Sequence, residues 1–365
     1  MSRIGLVARA GVLALLLAAC TGALFDPVAS PKVIVHDPPD SNLPPPVPRA
    51  DRAFRLAAHT LFLDEPIAQL AQQAGFDSIV QVFPWRDLNP RPDTFAWQAA
   101  DDMLRTAQAH RLDLVVRLDK PPLWAGRGQA AQPPFDVPAY LDFVEAVAAR
   151  YRGYVTGYII WNEPNLAEEW GGRVAQPKQY VDVLCEAQAR VRRADPGALV
   201  IAAGLAPTNE FSPRAMDDRE FLRQMMDNGA ASCFDVLAAH DYGYGLPPDD
   251  PYGEHAGLNL ARLLDLREIL DEARAAQPIW ITELGYTVQP GLHPHVSSSD
   301  QADYLLGAFR RVRAEWPWVE TFTVWNLSYT GGTPEMQGFS IIEPDRTPRP
   351  AYAVVAHMRR ELDTP

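Results

Sequence analysis

Gly157-Tyr158-Ile159-Ile160-Trp161, running straight into Asn162-Glu163-Pro164-Asn165, is the stretch on which the reading turns. Five nearly unbroken apolar residues are what a parallel strand buried on both faces requires. The polar cluster that follows stops the strand, and it carries a carboxylate to the strand's C-terminal end.

Runs of the same kind recur on both sides. Upstream lie Phe54–Ala58, Ser78–Phe83 and Leu112–Leu118; downstream lie Leu199–Ala203, Asp235–Ala239, Ile279–Thr282 and Thr321–Trp325. With Gly157–Trp161 they make eight expected strands. Amphipathic segments separate them: Leu305, Phe309, Val312 and Trp316 share one helical face, as do Leu141, Val144, Ala148 and Tyr151. Stop signals near Gly153 and Pro196-Gly197 close two of these helices. Strands alternating with helices imply parallel pairing through right-handed crossovers. Eight units in succession favour closure into a (β/α)8 TIM barrel, a single catalytic domain over residues 51–365. An open doubly wound sheet is the alternative, but no glycine-rich phosphate loop follows the first run. The 365 residues, 47% hydrophobic and 22% charged, suffice for one large core.

The N-terminal region has a different character. Arg3 and Arg9 precede the apolar run Gly11–Ala19, and Cys20 follows. A charged start, a short apolar stretch and small residues describe a secretory signal, and the run is too short to span a bilayer comfortably. Leu17-Ala18-Ala19-Cys20 resembles the bacterial lipobox, which implies cleavage after residue 19 and lipidation of Cys20. A plain signal peptide with an incidental cysteine is the competing reading. Residues 20–50, with Pro38-Pro39 and Pro44-Pro45-Pro46, read as a semi-rigid proline-rich tether. The expected location is therefore outside the cytoplasm, anchored to a bacterial membrane at the cell surface or in the periplasm. Only Cys185 and Cys233 remain, as a disulfide or as two free thiols. The net charge of −13 argues against nucleic acid and suits a neutral ligand; a monomer is expected.

The chemistry concentrates at strand ends. Glu163 ends the fourth run and Glu283 the seventh, across the mouth where barrel active sites form. Two converging carboxyl groups are what glycosidic cleavage needs, one to protonate the leaving oxygen and one to attack or to activate water.

With Trp161-Asn162-Glu163-Pro164-Asn165 and Ile281-Thr282-Glu283 quoted, the chain resembles the clan A glycoside hydrolases, and is similar to families 5 and 39 over nearly its whole length after the tether. The resemblance implies a retaining β-glycosidase with Glu163 as acid/base, Glu283 as nucleophile and Asn162 on the sugar 2-hydroxyl. His240-Asp241-Tyr242 matches the His-x-Tyr of these enzymes, with Tyr242 toward Glu283 and His240 toward the acid/base. Trp325 matches the platform beneath the scissile sugar. Residues 338–342, Asp345 and Arg349–Tyr352 resemble the approach to the last helix, and Asp93–Trp97 the turn entering the helix after strand two. The strand-two arginine of family 5 has no aligned counterpart.

Further mouth candidates are Trp85 and Arg86 after strand two, His59 after strand one, Lys120 and Trp124 after strand three, and Trp170 in the loop after strand four, a candidate for a more distant subsite. Arg117 is expected to point inward, toward a carboxylate. A carbohydrate substrate, a membrane contact through Cys20, and no metal or organic cofactor complete the expectation. Three other functions compete: a carbohydrate-binding lipoprotein that does not cleave, a transglycosidase using the same residues, and an unrelated barrel aldolase, which would want a strand lysine and a phosphate loop.

Overall fold

All eight expected strands form, and they pair in parallel around a closed ring in which the last meets the first. The computed structural model describes residues 45–46, 53–126, 134–174 and 176–364. The signal-like segment, Cys20 and nearly all of the proline-rich stretch lie outside the described residues. The strands are β1 (Arg55–Thr60), β2 (Ser78–Val82), β3 (Asp113–Leu118), β4 (Val155–Ile160), β5 (Leu199–Ala202), β6 (Val236–His240), β7 (Ile279–Leu284) and β8 (Val319–Val324). Helices α1 (Glu65–Ala74), α2 (Trp85–Leu88), α3 (Gln98–Ala109), α4 (Val137–Arg150) and α5 (Pro177–Ala194) lie in the first half of the barrel. Helices α6 (Asp218–Asp227), α7 (Leu263–Glu272), α8 (Ser298–Glu315), α9 (Pro334–Gly338) and α10 (Pro350–Asp363) lie in the second. Asp64, Asp136 and Ser297 cap α1, α4 and α8 by accepting from a free backbone N–H in the first turn.

Strand boundaries moved by at most two residues. β1 runs on to Thr60, so His59 sits inside the strand, and β7 runs on through Glu283 to Leu284.

Alternation along the strands divides the core in two. Val80, Val115, Ile159, Ile201, Val236, Ala238 and Trp280 fill the barrel, whereas Leu114, Val116, Leu237, Ala239 and Ile281 join the larger cluster under the helices. Cys185 on α5 and Cys233 just before β6 form a disulfide, which decides the alternative left open by the sequence.

Two expected ligand-side tryptophans belong to this outer core instead. Trp85 is 0% exposed, stacks on Phe143, and gives its indole N–H to Asn89 Oδ1. It shares the parity of Ile79 and Phe83, which face the helices. Trp170 is 1% exposed and packs edge-on against Phe135, Trp161 and Tyr180, because the loop after β4 folds back onto the helix layer. Trp124 likewise packs on Trp85 and donates to the Asn89 carbonyl.

Candidate active site

A cavity of about 490 Å³ opens at the C-terminal ends of the strands, within the range of small-molecule sites. Asn162, Glu163, Tyr242, Glu283 and Trp325 line it, together with Arg117 and His59.

Local backbone geometry delivers the two glutamates. On β4, Ile159 faces the barrel interior and Ile160 the helices, so alternation would turn Trp161 inward. Trp161 instead takes a left-handed conformation (φ +74°), its ring joins Phe135 and Tyr140 in the outer core, and Asn162 and Glu163 take the mouth. Glu163 is also left-handed (φ +39°), and such non-glycine residues persist only where their surroundings hold them. Here the Glu163 N–H donates to the Gly204 carbonyl, the Trp161 indole donates to the Glu169 carbonyl, and the Asn165 amide is locked between Ala206 and Met216.

On β7 the device is a bulge. Ile281 pairs with Ala239, but Glu283 pairs with the very next residue, His240, so Thr282 is an extra residue. Against β8 the same step appears, with the four residues Ile281 to Leu284 opposite the three from Phe322 to Val324. Ile281 and Leu284 both face the helices, and the bulge turns Glu283 into the mouth.

Glu283 is thereby surrounded by donors. Arg117 Nη1 lies 2.6 Å from its Oε1, and the Tyr242 hydroxyl donates to its Oε2 at 2.5 Å. Nε2 of His59 and of His240 stand 3.5 and 3.7 Å from Oε1. Burial by itself would raise the Glu283 pKa, but His240, Arg117 and the Tyr242 hydrogen bond outweigh it and hold the carboxyl well below the usual range. Burial also sets Tyr242 far above its ordinary value, so it stays a donor. Arg117 is itself buried and contacts Asp119 Oδ2 through Nε at 3.0 Å, so its charge is shared between two carboxylates.

Glu163 is the more exposed of the two, and His240 Nδ1 lies 2.8 Å from its Oε1. Burial tends to strip the His240 proton, but Glu283 and the bond to Glu163 prevail and raise its pKa. His59 goes the other way: burial dominates, aided by Arg117, and the ring is held down at about 3. One oxygen of each glutamate and one His240 nitrogen all lie within 4.8 Å of one another. This is the one three-ligand grouping among the described residues, but the Arg117 guanidinium already occupies Glu283 Oε1, which disfavours a cation there.

Trp325 forms the floor on the β8 side, with Tyr242 and Phe339 edge-on against it. Lys120 lines the cavity and is bound by both oxygens of Glu169, each at 2.8 Å. Two contributors escaped the sequence reading. Gly204 is one: a Cβ there would lie 2.3 Å from the His240 ring, so only glycine lets that ring lie against the backbone. Its only sequence signal is a run of small residues after β5. Tyr244 is the other; it lines the cavity and donates to the Pro207 carbonyl.

The site is thus a pair of facing carboxylates at the mouth of a (β/α)8 barrel. No family model matches the chain, and no curated protein matches it in sequence. Solved structures do match in shape. A family 39 glycoside hydrolase from the gut symbiont Bacteroides cellulosilyticus WH2 superposes with a TM-score of 0.69 at 18% identity, over 88% of this chain and 66% of its own. The GH5_18 protein of Streptomyces cattleya, solved with GlcNAc, gives 0.66 at 18% identity over 86% and 82%. Xylanase 10B of Thermotoga petrophila RKU-1, solved with xylobiose, gives 0.59 at 14% identity over 85% and 94%. The fold is therefore the one that clan A glycoside hydrolases use; at these identities the likeness speaks for architecture.

Proposed function

We propose that the protein is a retaining β-glycoside hydrolase acting on an oligo- or polysaccharide by double displacement, with Glu163 as acid/base and Glu283 as nucleophile. The observation that carries this reading is the approach of Glu163 and Glu283 oxygens to within 4.8 Å over one cavity. Retaining enzymes hold their carboxyl groups about 5–5.5 Å apart, whereas inverting enzymes leave about 6.5–9.5 Å for a water.

The partners of each glutamate support the division of labour. Glu283, against a guanidinium and a tyrosine hydroxyl, is kept ionised and ready to attack the anomeric carbon. Glu163 shares a hydrogen bond with His240, which orients its carboxyl group at the mouth. In the first step Glu163 gives a proton to the glycosidic oxygen as the C–O bond breaks and Glu283 bonds to carbon. In the second, Glu163 takes a proton from water, whose oxygen displaces Glu283. Arg117 stabilises the departing carboxylate. Asn162 receives the sugar 2-hydroxyl, and Trp325 carries the ring face.

Replacing Glu283 by Gln should abolish turnover of an aryl β-glycoside while sugar binding survives, and NMR of the first-formed product should show the β anomer. Unchanged turnover rejects the assignment; transfer products in place of the free sugar would favour a transglycosidase. One chain supplies every group named here, in keeping with a monomer.

The same proposal includes export and lipidation at Cys20. The Cys185–Cys233 disulfide supports an oxidising compartment. Mass spectrometry of the mature N-terminus distinguishes a diacylated Cys20 from an ordinary signal-peptide cut.

A further inference from the structure

We infer that His59 is a specificity-determining residue that hydrogen-bonds a hydroxyl of a neutral glycone seated over Glu283. This rests on the glycosidase reading above and adds the sugar-binding group and the substrate class.

The His59 side chain is 1% exposed yet lines the cavity. Neither ring nitrogen has a hydrogen-bond partner, and the approach of Nε2 to Glu283 Oε1, at 3.5 Å, does not amount to one. Buried polar groups without partners are rare, and one that faces a binding cavity points to a ligand that completes it. Most of its neighbours are already committed: Arg117 to Glu283 and Asp119, and Tyr242 to Glu283. Three further buried atoms without a hydrogen-bond partner belong to cavity-lining residues: Asn162 Oδ1 just past β4, Arg117 Nε, which faces Asp119 in an ion pair, and the Tyr286 hydroxyl. A pyranose ring with its anomeric carbon at Glu283 would meet Asn162 on one edge and His59 on another.

The ring's placement selects the glycone side. His59 rises from β1 beside Trp325 of β8, with ring centroids 6.5 Å apart, whereas Glu163 and His240 stand on β4 and β6, where the leaving group must be protonated. Held neutral at about 3, the imidazole offers one donor and one acceptor, the complement of a sugar hydroxyl. An acidic glycone would find no uncommitted cation among the residues lining this edge, because Lys120 is taken by Glu169 and Arg117 by its two carboxylates.

The test compares wild type, His59→Ala and His59→Asn on an aryl β-glycoside that the wild type cleaves, and on its 3-, 4- and 6-deoxy analogues. His59→Ala should lose on the order of 10- to 100-fold in kcat/KM on the parent glycoside. One deoxy analogue should show no further loss with His59→Ala, while the others lose as they do in the wild type. His59→Asn, which restores a donor and an acceptor, should recover part of the loss. An equal loss on every analogue, or none, overturns the assignment of His59 and leaves the glycosidase standing. A wild-type protein that cleaves no glycoside overturns both.

Discussion

Arg117 on β3 reaches across the mouth of the barrel to Glu283 on β7, Nη1 to Oε1 at 2.6 Å, and both side chains are buried. This contact joins the permanent positive charge of the site to the carboxylate that must be ionised to act. Breaking it would leave a charge stranded in a low-dielectric interior.

Replacing Arg117 by Met should therefore act on rate and on stability together. Glu283 is now held below its ordinary range, so it contributes stability that is present above the unfolded carboxylate pKa and is lost as pH falls through the folded value. In the variant that contribution shrinks, with His240 and the Tyr242 hydroxyl still holding Glu283, and removing one partner of the buried pair costs about 3–5 kcal/mol. The acid limb of kcat/KM against pH should move to higher pH. A pH–rate profile and urea unfolding near neutral pH check both parts; an unmoved acid limb would show that Arg117 does not set the ionisation of Glu283.

Gly204→Ala tests the route from backbone to acid/base. The added Cβ would lie 2.3 Å from the His240 ring, so the ring must leave its position against Glu163. Overpacking of this kind costs about 1–3 kcal/mol. The expected result is a loss of kcat/KM that is largest for poor leaving groups, which depend most on protonation. Equal loss for a dinitrophenyl and an alkyl glycoside would sever His240 from the acid role of Glu163.

Glu163→Ala should spare the first step on a dinitrophenyl β-glycoside, whose leaving group needs no proton, and slow the second by about 10²–10⁴-fold. Added azide, which needs no general base, should restore turnover and yield a β-glycosyl azide detectable by NMR. No azide product would argue against Glu163 as the base of the second step.

The tryptophans should separate by what they lose. Trp85→Ala removes a ring from the middle of the outer core and should cost about 3–5 kcal/mol of stability. Trp325→Ala, at the cavity floor, should cost far less stability but most of kcat/KM. Thermal unfolding and steady-state kinetics on the pair decide it, and activity lost at normal stability in Trp85→Ala would return that residue to the site.

Cys185→Ser should lower the unfolding midpoint by several degrees, since closing a loop with a sequence separation of 48 restricts the unfolded chain by about 4 kcal/mol. Cys233 precedes β6 and so lies at the end of the barrel opposite the mouth. Activity at 25 °C should be unchanged, and a thiol titration of the unfolded wild type without reductant should find neither Cys185 nor Cys233 free.

Much of this architecture was written in local pattern. Eight apolar runs separated by amphipathic helices announce a parallel barrel, because strands buried on both faces have no polar side to show. The two glutamates stand where the C-terminal mouth collects side chains, and Arg117 keeps the inward parity of Val115. The same parity argument places Trp85 with Ile79 and Phe83, facing the helices.

Local pattern does not, however, aim Glu283. Counting by twos from Ile281 would send it into the helix layer, and only the extra residue Thr282, accommodated between β6 and β8, turns it into the cavity. Trp161 likewise leaves the mouth to Asn162 and Glu163 through a backbone angle that its tertiary neighbours enforce. Periodicity belongs to one strand and can be read along it. A bulge or a left-handed residue is fixed by the strands and loops on either side, which meet it only when the barrel closes. The sequence by itself determined which residues could reach the mouth; the closed barrel decided which of them face one another across it.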